Sequence, residues 1–535
     1  MDGTMDVSDR IDSHPDTRTG AGLEIFLILV LFFVAHGDLP PDVNEAHYLA
    51  KAKHYWNPNW CPEDHFLQSA DAHLVFYWTL GWLTQWVSLP VLAWIGRLAA
   101  WTLLAVGWLR LSRTLLPRPG LALLTAAAYL LLLQYTHLAG EWVVGGVEAK
   151  GFAYGLVFLG LEAVVMNRWC RGWLLLGTAS AFHVLVGGWA TVAVALAWWV
   201  APANRPSLKT MLPFLILGGC LALPGLLPAI ALTSGVSSAD VALANDIYVY
   251  HRLSHHLVVS TFASDRILGH LGILVSWLLV LAWCRRHADD RLRRLQGVVI
   301  GCVLIGVTGA LLGYLVPRSN PMSASLLRYY WFRLSDAMLP VGVIFAVARL
   351  LERAAGSWPR MVAYKVSGLI VLITAMIAME GMRRYGDPRP AADRQALPTV
   401  AGRPEVTRQV YLDWVQVCSW IRQETPQAAV FLTPRRQQTF KWYAHRAEIV
   451  SWKDIPQDAR GLIQWHERFR RWYWDSSVES GFTSLDPQLL VKQMKHHGAR
   501  YLVRPNLGNS RRLPLRRVYP LPNQNSYYEV YERVP

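Results

Sequence analysis

Asp42 and Glu45 stand three residues apart at the start of a helix-like run, so their carboxylates share one face. They lie in LPPDVNEAHYLAKAKHYWNPNW (Leu39 to Trp60), a stretch acidic at its start and dense in aromatics and histidine, including His47. Paired acids of this kind suit general-base work. A second acidic stretch, GEWVVGGVEAKGFAYG, offers Glu141, Glu148 and Lys150, and LRYYWFRLSD offers Arg328 and Arg333. Carboxylates on one side and arginines on the other fit an anionic phosphate-bearing substrate and an acceptor that must lose a proton. His183 stands at the tip of a later apolar pair.

Each group also has a purely structural reading. Asp42-x-x-Glu45 after two prolines is a capping box for a helix over Val43 to Trp56. Glu148 follows two glycines and could cap the next helix, although a glycine-flanked acid can also approach a ligand closely. Glu141 reads as a loop charge and His183 as a core histidine. Arg333 can pair with Asp336 one turn on, whereas Arg328 lacks such a partner in its own helix, which makes it the stronger candidate for an anion. His251 and His255 have the i, i+4 spacing of a metal pair without an evident third ligand, so a divalent metal ion stays open as a cofactor.

The elements that must position these groups are apolar. Only 17% of the 535 residues are charged, 12% are aromatic and 25 are Trp, a polytopic membrane profile. The net charge of +15 resides in arginines between apolar runs, where topology and anionic lipid account for it; nucleic acid is not an expected partner, and membrane lipid is. Spans are expected at about Leu23–Ala35, Leu89–Leu111, Leu121–His137, Phe152–Met166, a pair within Trp173–Val200, then Leu212–Leu232, Ile267–Trp283, Val298–Val316, Ser335–Leu351 and Val362–Met379. The run Trp173–Val200 is too long for one crossing of a bilayer core of ~30 Å. Splitting it near Gly187-Gly188 puts the arginine-rich links on one side throughout, as the positive-inside rule requires. Asp71 to Leu89, apolar but studded with Trp, reads as a helix lying on the bilayer.

The expected class is therefore a polytopic α-helical membrane protein of about eleven spans with a C-terminal α/β domain. Residues 1–20 form a disordered cytoplasmic tail. Residues 21–384 form the membrane domain, with acidic external loops at 37–88 and 139–150. A Pro/Arg-rich linker occupies 385–404, and 405–535 form an extracytoplasmic domain. The expected location is the plasma (inner) membrane, with a cytoplasmic N-terminus. In the last domain Val410, Trp414, Val417 and Ile421 make a helical stripe. Ala428–Leu432, Tyr501–Val503 and Tyr527–Tyr531 read as strands and Leu489–His497 as a helix. The six cysteines show no metal or CxxC spacing; Cys61 and Cys418 would share a compartment.

This order of elements resembles the type C (GT-C) integral-membrane glycosyltransferases, among them oligosaccharyltransferase catalytic subunits, protein O-mannosyltransferases and bacterial aminoarabinose and arabinofuranosyl transferases. In that superfamily a first span leads into a long external loop whose acid is catalytic, often within an Asp-Glu pair followed by an aromatic. The matching stretch here is Asn44-Glu45-Ala46-His47-Tyr48. The usual Asp position holds Asn44, which leaves Glu45 or Asp42 as the base, or a chain without activity. The second acidic loop corresponds to Glu141 and Glu148, without an Asp-x-Asp. VCSWIRQETPQAAVFLTP (Val417 to Pro434) resembles the helix–strand opening of the family's soluble domain.

The resemblance implies transfer of a sugar from a polyprenyl-phosphate donor to an extracytoplasmic acceptor. Arg328 and Arg333 would receive the donor phosphate, with His47, His183 and Lys150 in support. A transporter or flippase would call for acids at mid-depth and paired broken helices, and the spans are nearly free of such acids. A non-catalytic envelope scaffold would need neither acidic loop.

Overall fold

The computed structural model describes residues 17–201, 205–357, 359–400, 402–473, 486–506, 513–521 and 526–534; most of the expected N-terminal tail lies outside them. A helix stands at every apolar run. In chain order they are α1 (Thr17–His36), α3 (Leu89–Leu115), α4 (Leu121–Thr136), α5 (Ala149–Val165), α6 (Trp169–Phe182) and α7 (Val184–Val200), with the first-loop helix α2 (Glu45–Trp56) between α1 and α3. They continue as α8 (Leu208–Ala231), α9 (Ser264–His287), α10 (Asp290–Leu315), α11 (Arg333–Ser357) and α12 (Pro359–Gly386). Among the described residues five helices are long and apolar enough to cross a membrane: α3, α8, α9, α10 and the Arg333–Arg353 part of α11. Segments of α1, α4 and α7 are shorter apolar helices. The protein is thus mostly helical, with apolar helices of membrane grade.

Close helix contacts rest on small residues, as expected where lipid removes the hydrophobic drive between helices. A Cβ on Gly177 of α6 would collide with the Gly218 carbonyl oxygen of α8, so the two backbones touch there. The break between α6 and α7 falls at His183, four residues before the expected Gly187-Gly188. His183 is extended, and its Nδ1 accepts from the Val186 N–H at 3.3 Å. It caps α7, while Gly187 sits inside the helix against the Ser180 backbone. The expected surface helix after Asp71 is not continuous: a six-residue helix (Leu74–Thr79) passes into a 3-10 turn (Gly81–Gln85), with Trp78, Trp82 and Trp86 exposed.

The C-terminal part carries a mixed sheet of β1 (Val430–Leu432), β2 (Ala447–Glu448), β3 (Tyr501–Pro505), β4 (Arg516–Tyr519) and β5 (Tyr528–Glu532), ordered β2-β1-β3-β5-β4. β1 runs parallel to β2 and β3, and β5 antiparallel to β3 and β4. Helix α13 (Pro404–Glu424) lays Val410, Trp414, Val417 and Ile421 on one face of the sheet with Phe431 and Phe440. The opposite face, with Trp465 and Phe469 of helix α14 (Ala459–Tyr473), shares a single core with Leu49, Trp60 and Phe66 of the first loop. Burying such side chains is worth ~1.5–3 kcal/mol each, so sheet and first loop hold one another in place. All six cysteines are free, Cys61 and Cys418 included.

Candidate active site

A cavity of about 790 Å³ opens where the first loop, the second acidic loop, the tips of α4, α11 and α12 and the C-terminal part meet. Asn44, Glu141, Glu148, Lys150, His183 and Arg333 line it, with His47, Tyr48, Tyr248, Tyr330, Arg252 and Lys453. Residues from distant parts of the chain join into one alternating network. Asn44 Nδ2 donates to Glu148 Oε1 at 2.5 Å. Lys150 Nζ lies 3.7 Å from Glu148 Oε2 and 3.6 Å from Glu141 Oε1. Arg333 Nε pairs with Glu141 Oε2 at 2.9 Å, and its Nη1 lies 3.2 Å from His183 Nε2.

Local sequence explains the approach of the two acidic loops. A Cβ on Gly146 would lie 2.5 Å from Asp42 Cβ and 2.9 Å from Glu45 Cγ, so only glycine lets the second loop pass beneath the first. The Gly146 N–H donates to Asp42 Oδ2 at 2.6 Å and the Val147 N–H to Glu45 Oε1 at 2.8 Å. Two residues on, Glu148 begins α5 in extended conformation and is 2% exposed. Burial pushes its carboxyl above the usual glutamate range; Lys150 and then the Asn44 hydrogen bond oppose that shift.

The structure separates the candidate acids. Glu45 is fully buried, and its oxygens meet Arg97 Nε and Nη2 at 2.6 Å each. Its Oε2 also accepts from the Asp42 N–H at 2.7 Å, one half of the expected capping box. The other half is absent: Asp42 accepts from the Val43 and Gly146 N–H groups instead, and the helix starts at Glu45 rather than Val43. Neither Asp42 nor Glu45 lines the cavity, and neither does Arg328, which donates to Asn245 Oδ1 at 2.6 Å. Arg333 pairs with Glu141 rather than with Asp336, whose oxygens accept from the Leu138 and Ala139 N–H groups.

No curated protein matches by sequence. Residues 412–472 match a family described as a domain of unknown function, DUF6798. The mycobacterial arabinofuranosyltransferase AftD superposes with a TM-score of 0.50 at 16% identity, over 98% of this chain and 42% of that one. The fold is that of the GT-C membrane glycosyltransferases. ArnT from Cupriavidus metallidurans, solved bound to undecaprenyl phosphate, gives a TM-score of 0.49 at 14% identity over 97% of this chain and 98% of that one. The Archaeoglobus fulgidus oligosaccharyltransferase AglB, solved with an inhibitory peptide and dolichol-phosphate, gives 0.42 at 10% identity over 91% and 69%.

Within this GT-C fold the cavity holds groups that sequence reasoning missed. Lys453 and Trp452 enter it from the C-terminal part, in a SWKD stretch after β2 that carries no spacing signal. Arg252 reaches it from the loop between α8 and α9 and donates from Nε to the Trp452 carbonyl at 2.9 Å. His251 and His255 are not brought together as a metal pair. A π-helical turn (Ile247–Arg252) shifts the register between them, His251 pairs with Asp246 at 3.2 Å and His255 faces the cavity. Among the described residues no group of three or more His, Cys, Asp or Glu could hold a metal ion. Glu141 and Glu148 are bridged by Lys150, a donor set that does not suit a divalent cation.

Proposed function

We propose that this chain transfers a sugar from a polyprenyl-phosphate carrier to a hydroxyl acceptor outside the membrane, with Glu148 as general base. The observation that carries the reading is the placement of Glu148 itself. It is a cavity-lining carboxylate with raised proton affinity, fixed through one oxygen by Asn44, while among the described residues its other oxygen meets Lys150 at 3.7 Å. A base with raised pKa holds a proton more readily near neutral pH. The acceptor oxygen attacks the anomeric carbon as the bond from that carbon to the phosphate oxygen breaks. Glu148 takes the acceptor proton, the polyprenyl phosphate leaves with the bonding pair, and the anomeric configuration inverts. Lys150, held between two acids, keeps Glu148 from rotating away. Glu45 and Asp42, engaged by Arg97 and backbone N–H groups, act as the mount for the second loop.

A second cavity of about 760 Å³, almost wholly apolar, lies between α4, α11 and α12, lined by Leu124, Ala128, Ile344, Val347, Leu369 and Ile373. It shares the α4 wall with the polar cavity and suits a prenyl tail. In this reading α1 and α3–α12 make eleven crossings of the plasma (inner) membrane. The tail lies in the cytoplasm, and residues 405–535 form an external domain joined to the membrane domain (21–384) by the linker 385–404.

The test is Glu148→Gln in nanodiscs, assayed with a panel of radiolabelled polyprenyl-phosphate sugars. Transfer should fall by ~10²–10⁴-fold with carrier binding retained. Undiminished transfer by this variant would sink the assignment of the base.

A further inference from the structure

Half of the eight Lys and Arg side chains that line the cavity are matched: Lys150 meets Glu141 and Glu148, Arg333 meets Glu141, and Arg383 and Arg384 meet Glu380. Among the described residues Arg252, Arg266, Arg436 and Lys453 have no carboxylate within ion-pair distance. Of these four, Arg252 and Lys453 are joined, because Arg252 holds the carbonyl of Trp452, the residue before Lys453. Arg252 is 7% exposed; its Nε is used by the Trp452 carbonyl and its guanidinium lies 4.8 Å over the Trp452 ring, which leaves its terminal nitrogens. Buried cations without a counter-charge are costly, and they persist where a ligand supplies the missing charge.

Lys453 is held from both sides. On one, Arg252 clamps the Trp452 backbone. On the other, Asp454 is fixed by Lys441 Nζ at 2.6 Å and His47 Nδ1 at 3.0 Å. Lys441 in turn pairs with Asp64 at 3.3 Å and Glu448 at 2.5 Å. His47 lies one turn after Asn44 in α2, so this buried network fixes Lys453 relative to the Asn44–Glu148 pair.

We propose that Lys453 and Arg252 form a phosphate-binding subsite, so that the segment matched as a domain of unknown function completes the membrane cavity. The ligand is a phosphoryl group: the donor's phosphodiester carries one negative charge and the polyprenyl phosphate that leaves carries up to two, which two cations match. The inference rests on the transferase reading for the identity of the phosphate as the donor's, and on the geometry alone for the site.

The groups facing Lys453 are Arg252, His47 and His255, Glu148 and Lys150 of the second loop, and Asp454 beside it. Burial, with Arg252 next, lowers the Lys453 ammonium from its usual range to about 8, while Glu148 and Asp454 oppose the shift. Lys453 therefore loses its charge as pH rises through about 8, whereas burial lowers the Arg252 guanidinium only to about 10.

The experiment is binding of radiolabelled undecaprenyl phosphate, with inorganic phosphate as competitor, to the full chain in phosphatidylcholine nanodiscs between pH 7 and 9. The wild type should bind about tenfold more weakly at pH 9 than at pH 7. Lys453→Arg should bind with no such pH dependence. Lys453→Met should bind at least ~10-fold more weakly at pH 7; insertion is checked by monodisperse elution. Wild-type affinity in Lys453→Met, or an unchanged pH profile in Lys453→Arg, overturns the subsite and leaves the transferase reading standing. Binding of inorganic phosphate with the same dependence on Lys453, but none of the lipid, supports the subsite and removes the lipid donor. Absence of any phosphate binding by the wild type overturns both.

Discussion

Asn44 donates a 2.5 Å hydrogen bond to Glu148 across 104 residues of sequence. It stands where the GT-C resemblance has an acid, and in the proposed reading the second loop supplies the carboxylate in its place. An amide at that position can orient a neighbouring base and cannot itself take a proton.

That bond predicts a titration effect. Asn44→Ala removes a contact that holds the Glu148 carboxyl down. The pKa should rise further, so the acid limb of the rate profile should move to higher pH, with activity partly recovered on the alkaline side. A pH–rate series of the variant beside wild type checks it. An unmoved limb would show that Glu148 is not the titrating base.

The wild-type profile should be bell-shaped. Transfer needs Glu148 deprotonated, so the rate falls as pH drops through a value above the ordinary glutamate range. It needs Lys453 protonated, so the rate also falls as pH rises through about 8. The alkaline limb should disappear in Lys453→Arg, read as kcat/KM against pH.

Glu45 and Arg97, both 0% exposed, are predicted to matter for stability rather than chemistry. Removing either partner leaves an uncompensated buried charge and should cost ~3–5 kcal/mol. The double change Glu45→Gln with Arg97→Met should recover much of that loss. Thermal unfolding in detergent reads the stability, and transfer per folded molecule should stay near wild type.

Gly146→Ala should separate the two acidic loops. Its Cβ would press on Asp42 and Glu45, an overpacking cost of ~1–3 kcal/mol. Because Glu148 sits two residues on, transfer should fall more than stability does, measured as kcat at a temperature where the variant remains folded.

Lys453→Met should unfold at a higher temperature than wild type at neutral pH, because it removes a largely desolvated ammonium that, among the described residues, has no carboxylate within ion-pair distance. The sign follows from the lowered pKa. The unfolded chain holds the proton more tightly, so the charged lysine opposes folding below about pH 10 and most strongly below about 8. Scanning calorimetry of both proteins at pH 7 and pH 10 should show the difference shrinking at the higher value.

Much of the architecture was legible in the chain. Runs such as Val298–Val316 carry enough consecutive apolar residues to require a helix in a bilayer, and the arginines between runs set the split of Trp173–Val200 into two helices. The stripe of Val410, Trp414, Val417 and Ile421 likewise announces a buried helix face, because burial imposes its period on local sequence. Glu141, Glu148, Lys150, His183 and Arg333, all singled out by residue type in the sequence, line one cavity. Tertiary structure alone decided which of the candidate charges are already paired. Arg97 consumes Glu45 from a different helix, Glu141 consumes Arg333, and Asn245 draws Arg328 away from the cavity. Lys453 enters from a stretch with no periodic signal because the C-terminal sheet packs on the first loop. Apolar patterning is a local property of the chain. The pairing of charges across 52 or more residues depends on where separate elements come to rest, and no spacing rule encodes it.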